Sequence, residues 1–91
     1  MIAKRLIISG QVQGVGYRDW LVSAARKAGL IGWVRNRADG TVEALIAGEA
    51  DAVEDVARAC RRGPRMAIVD EITETLAEMP MGREFSKRPT V

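Results

Sequence analysis

Ile31-Gly32-Trp33-Val34-Arg35-Asn36-Arg37-Ala38-Asp39-Gly40-Thr41-Val42-Glu43-Ala44-Leu45-Ile46-Ala47 is the stretch that decides the fold. Ile31 to Arg37 reads as a strand, and Asp39-Gly40 is a hairpin turn signal, because Gly tolerates a positive φ and Asp nearly does. Thr41 to Ala47 reads as the returning strand, with Val42, Ala44 and Ile46 on one face. Toward the N-terminus, Leu21, Ala24, Ala25 and Ala28 fall at i, i+3, i+4 and i+7, one face of a helix that starts at Arg18 and is ended by Gly29. Before it, Gln11 to Tyr17 reads as a loop, and residues 4–11, with Leu6-Ile7-Ile8, as a strand. Toward the C-terminus, Gly48 closes the hairpin. Val53, Val56, Ala57 and Cys60 then mark a second helix over residues 50–62, acidic at its start and basic at its end, and Gly63-Pro64 stops it. Ile68, Ile72 and Leu76 fit either period, and the density of Ile, Val and Thr over 67–78 favours a strand. Pro80 and Gly82 mark a loop, and Phe85 to Arg88 is a candidate short edge strand.

The order is β-α-β-β-α-β, with that fifth short strand in reserve. The hairpin joins two βαβ halves, each of which needs its helix on one face of the sheet. The expected fold is α+β: a ferredoxin-like split βαβ sandwich, two helices on one face of an antiparallel sheet. The chain has 91 residues, so one domain over 1–91 is expected. Many unrelated activities use this plan, so the fold does not supply the function.

Composition removes whole chemistries. Hydrophobic residues make up 47% and charged residues 29%, ordinary for a soluble globular protein. There is no histidine, so a Ser-His-Asp triad, a Cys-His pair, a histidine phosphoenzyme and a histidine zinc site are excluded. With Cys60 as the single cysteine, neither an intrachain disulfide nor a thiolate metal cluster can form. No residue pattern signals a cofactor. No apolar run approaches the roughly 18 residues of a membrane helix and no signal peptide is visible, so the expected compartment is the cytoplasm and no membrane partner is expected. Residues 1–40 carry seven Lys/Arg against two Asp/Glu and residues 41–91 seven against ten, so the halves stand at +5 and −3. An anion favours the first half, although a set this small can be uneven by chance.

The loop Gly10-Gln11-Val12-Gln13-Gly14-Val15-Gly16-Tyr17-Arg18 suits an oxyanion. Free amides at a helix N-terminus point outward with partial positive charge. Gly14 and Gly16 let successive amides turn inward as a nest, and the Arg18 fork can grip two phosphate oxygens. Arg18 at the first turn also opposes the helix dipole, at a few tenths to about 1 kcal/mol, and a bound anion would remove the conflict. The same spacing also fits a plain glycine-rich connector followed by a solvated arginine. It matches neither a Walker loop nor a Rossmann fingerprint.

That loop resembles the N-terminal signature of the acylphosphatase family. Gly32-Trp33-Val34-Arg35-Asn36-Arg37-Ala38-Asp39-Gly40-Thr41-Val42-Glu43 resembles its second signature, with Gly48 at the expected distance beyond, and Gly63-Pro64 followed by Ala67 and Val69 resembles its helix-to-strand junction. The resemblance implies hydrolysis of the carboxyl–phosphate bond of a small-molecule acyl phosphate, without metal or phosphoenzyme. It places phosphate in the loop Gln13, Gly14, Val15, Gly16, Tyr17 and Arg18. It makes Arg18 the phosphate-binding catalytic arginine and Asn36 the residue that orients the attacking water. Inorganic phosphate is then both product and inhibitor, and a monomer is expected. Two positions depart from the pattern: Tyr17 stands where Phe or Met is commoner, and Lys87 where the last strand is usually apolar. The composition suits the chemistry, since a carboxylate leaves without a general acid and a loose phosphoryl transition state needs mainly positioning and charge.

Other residues point to bland roles. Tyr17, Trp20, Trp33 and Phe85 are the only aromatics, and they read as core and rim packing. The third strand lacks the aromatics of an RNA-binding sheet, which argues against nucleic acid. Arg58, Arg61, Arg62 and Arg65 read as dipole-matched helix cations, and Cys60 as inert core. Arg35 and Arg37 share the face opposite Asn36, where they either steer anionic substrate or are solvated. Met66, Met79 and Met81 read as loop and edge packing.

Overall fold

A computed structural model describes residues 1–91. The elements are β1 (Ile2–Gln11), α1 (Tyr17–Lys27), β2 (Ile31–Asn36), β3 (Val42–Gly48), α2 (Ala50–Cys60), β4 (Ile68–Leu76) and β5 (Phe85–Lys87). They form one five-stranded sheet in the order β4-β1-β3-β2-β5, with both helices on one face. The plan is the ferredoxin-like α+β sandwich. β1 pairs antiparallel with β3 and β4, and β2 with β3.

The four core strands form the expected antiparallel sheet; the short fifth strand, whose direction the sequence did not indicate, runs parallel to β2, with Gly32, Trp33 and Val34 opposite Phe85, Ser86 and Lys87. The reason is topological. β4 ends at the edge of the sheet where β2 begins, and residues 77–84 cross the roughly 19 Å width of four strand spacings along that edge. Entering from there, the last strand has to run alongside β2. No helix is needed for a crossover that stays on the rim.

Burial follows the alternation of each strand. Leu6 and Ile8 of β1, Val34 of β2 and Val42, Ala44 and Ile46 of β3 point toward the helices and are fully buried. They meet Leu21 and Ala25 of α1 and Val53, Val56, Ala57 and Cys60 of α2, with Tyr17, Ile72 and Phe85 completing the cluster. The opposite face has no helix over it. There the Glu43 carboxylate, 3% exposed, sits between Arg5 at 2.6 Å and Arg35 at 2.8 Å, and the guanidinium groups of Arg35 and Arg88 lie 4.6 and 4.9 Å from the Trp33 ring centre. Burial pushes the Glu43 carboxyl up, and the bonds from Arg35 and Arg5 outweigh it, holding the group below the usual carboxylate range. No helix is long and apolar enough to cross a membrane.

Candidate active site

β1, β2 and β5 run in the same direction, so their C-terminal ends gather at one end of the sheet, beside the N-terminus of α1. Each candidate residue reaches that end by its own route. β1 delivers the loop. Gly14 and Gly16 adopt φ of 75° and 80°, and a Cβ at either would meet nothing within 4 Å, so conformation rather than lack of room calls for glycine there. Gly16 is the residue that caps α1, and no side chain bonds the first amides of the helix. β2 ends at Asn36, on the same face as buried Val34. Its backbone is held by β3 at Val42 and by the Val91 amide, which donates to the Asn36 carbonyl at 3.1 Å.

A cavity of about 170 Å³ lies between these parts, lined by Val12, Gly14, Gly16, Tyr17, Arg18, Asp19, Asn36 and Lys87. Arg18 and Asn36, eighteen residues apart in sequence, therefore border one space. The wall is mostly polar, which suits an ionised ligand rather than an apolar one.

Three expected site residues direct their side chains to the fold rather than to an anion. The Gln13 side chain turns away from the loop and donates to the carbonyls of Arg37 and Thr41, at 2.8 and 2.9 Å, tying the loop to the β2–β3 hairpin. Its contribution to an anion is thus left to its backbone. Tyr17 is buried, with its ring edge-on to Trp20 at 5.4 Å and its hydroxyl donating to the Cys60 carbonyl at 2.6 Å. Only its amide, at the first turn of α1, is in a position to serve a ligand. Val15 is half-buried and packs against the core.

Three lining residues were outside the expected set: buried Val12, from the start of the loop, and two charged ones. Asp19 follows Arg18, and Lys87 comes from β5, their side chains joined at 2.9 Å. The bond from Lys87 holds the Asp19 carboxyl below its ordinary range. Lys87 carried a signal in the sequence, a cation in a strand position that is usually apolar. Asp19 carried none. Arg35 is not at this site: it is engaged with Glu43 on the far face of the sheet, while Arg37 stands 3.8 Å from Asp39 at the hairpin turn. Cys60 is buried, and its thiol is pushed up to about 12 by that burial.

Comparison with known proteins identifies the family. The acylphosphatase family model matches residues 4–87. An acylphosphatase of Acidiphilium cryptum is 64% identical over 90 residues, 99% of each chain, and one of Rhodospirillum rubrum is 54% identical over 84 residues, 92% of each. The crystal structure of acylphosphatase from Bacillus subtilis superposes with a TM-score of 0.91 at 37% identity, over 97% of this chain and 99% of that one. The chain belongs to the acylphosphatase family, and it is an enzyme that hydrolyses acyl phosphates.

Proposed function

We propose that Arg18 and Asn36 carry the reaction, within a single acylphosphatase-like domain over 1–91. The observation that supports this is their convergence, with Gly14 and Gly16, on one polar cavity. The phosphoryl group rests on the amides of Gln13, Gly14, Val15, Gly16 and Tyr17, and on the amide and guanidinium of Arg18. Asn36 holds a water in line through a side chain that both donates and accepts. The water oxygen attacks phosphorus as the acyl oxygen–phosphorus bond breaks. The carboxylate leaves with the bonding electrons, and the water proton passes to the phosphate product and solvent. Because a carboxylate is a weak base, no acid has to protonate it. Arginine and amides supply the charge stabilisation.

On this reading the enzyme is metal-independent, monomeric and cytoplasmic, and inorganic phosphate inhibits it by occupying the site it leaves as product. The test is phosphate release from benzoyl phosphate by the wild type, Arg18→Ala and Asn36→Ala, with and without EDTA. Both variants are expected to stay folded and lose most turnover, with EDTA doing nothing. A folded Arg18→Ala protein turning over at the wild-type rate would overturn the assignment, and activity lost in EDTA and restored by a divalent ion would overturn metal independence.

A further inference from the structure

Asp19 conflicts with the purpose of the cavity it lines. A carboxylate next to Arg18 repels a phosphoryl dianion and competes with it for the guanidinium, which already acts on Asp19 through space. For α1 alone the residue is favourable, since an acid in the first turn matches the helix dipole. The two demands are reconciled by Lys87. It sits opposite Val34 on β5, so it shares a sheet face with Asn36 two residues further along β2, about 7 Å along the strand. From there its ammonium reaches Asp19 at 2.9 Å while bordering the same cavity as Arg18 and Asn36.

Stability does not account for the pair. The Asp19 side chain is 75% exposed and that of Lys87 46%, and ion pairs this open contribute little to folding. We infer that Lys87 is a positioning residue for catalysis: it counter-charges Asp19, so that Arg18 and the loop amides remain available to the substrate phosphoryl group. The inference rests on the reading of this cavity as the phosphate site. Lys87 acts through Asp19 and need not touch the substrate. Asp19 is held ionised well below neutral pH, so the charge to be cancelled is present throughout the working range.

The test is Lys87→Met, with Lys87→Gln as a second variant, Asp19→Asn, and the double variant Asp19→Asn/Lys87→Met. KM for benzoyl phosphate and the inhibition constant for inorganic phosphate are measured at low salt, together with the Kd for phosphate by NMR titration. Unmasking one negative charge beside a dianion is expected to raise all three in Lys87→Met on the order of three- to tenfold, with a smaller change in kcat. The effect should shrink in about 0.5 M salt, where screening reaches only a few ångströms. The double variant is expected to return close to wild type. Unchanged phosphate binding in both Lys87 variants would overturn the inference. So would a double variant as weak as Lys87→Met, which would mean that the ammonium grips the substrate directly. A wild type that neither binds phosphate nor hydrolyses benzoyl phosphate would instead overturn the reading of the cavity.

Discussion

Replacing Tyr17 by Phe removes one oxygen from the join between the loop and the second helix, and the cost can be worked from the local geometry. The Cys60 carbonyl is the last of α2. In a continuing helix its donor would be the amide four residues on, but that residue is Pro64, which has none. The neighbouring amides of Arg62 and Gly63 both bond to Ala59. The Tyr17 hydroxyl takes the vacant place at 2.6 Å, in a setting where the tyrosine is 1% exposed. Phenylalanine keeps the ring and its edge-on contact with Trp20, so the change isolates the hydrogen bond. Losing a bond to a buried carbonyl that stays unsatisfied costs about 1.5–2.5 kcal/mol. For a domain of this size that lowers Tm by roughly 6–20 °C. Urea unfolding followed by tryptophan fluorescence measures it, since Trp20 touches the ring; the midpoint should fall with the slope unchanged. At temperatures where the variant is folded, kcat and KM should stay close to wild type, because the hydroxyl faces away from the cavity. A Tyr17→Phe protein as stable as the parent would refute the reasoning and mean that the carbonyl finds water instead.

Arg18→Lys should lose turnover on the order of a hundredfold or more while its circular dichroism stays native, since a point charge cannot replace the two-pronged fork; kcat/KM near wild type would contradict the role given to that fork. kcat should be nearly flat from about pH 6 to 8, because Asp19 and Asp39 are held below the usual carboxylate range, by Lys87 and by bonds from Thr41, and Cys60 is pushed up to about 12. A tenfold limb centred near pH 7 in the wild type would point to a titrating group that this account lacks. Stability should respond at both ends of the pH scale. Glu43 and Glu74, the better-buried of the paired carboxylates, have depressed folded values, so their contribution is present above the ordinary carboxylate range and lost as pH falls through about 4 and below. Cys60 has a raised value, so its contribution is intact below the ordinary thiol range and lost as pH rises past about 9, at about 1.4 kcal/mol per pH unit. Thermal melts from pH 2 to 11 on the wild type and Cys60→Ala measure both limbs, and an alkaline limb equally steep in the two proteins would remove Cys60 as its source.

The parts of the fold set by neighbours in sequence were legible without coordinates. The hairpin at Asp39-Gly40, the inner face Val42, Ala44 and Ile46, and the apolar stripe of α2 each follow from a local period or a turn preference. The glycines and the arginine of the loop were legible for the same reason. What escaped depends on pairings between distant residues: Gln13 with the hairpin, Tyr17 with Cys60, Lys87 with Asp19, and Glu43 with Arg5. No periodicity announces where a side chain finds its partner. The direction of β5 escaped as well, because it is set by the end of the sheet at which the chain leaves β4. Lys87 came nearest to being read, as an odd cation in an apolar place, and only the topology shows what it faces.

β1 lies between β3 and β4, whose paired residues are 34 to 46 and 57 to 72 positions away in the chain. Long loops must close before either pairing stabilises anything, which makes such a sheet slow to assemble. The cavity adds a further requirement. Its lining comes from the loop after β1, the start of α1, the end of β2 and the end of β5, and the backbone of Asn36 is bonded by Val91. A refolding chain can acquire helices and a collapsed core while Arg18 and Asn36 still lack a common wall. Turnover during refolding thus reports the docking of the last strand, and it should lag behind both circular dichroism and the burial of Trp20.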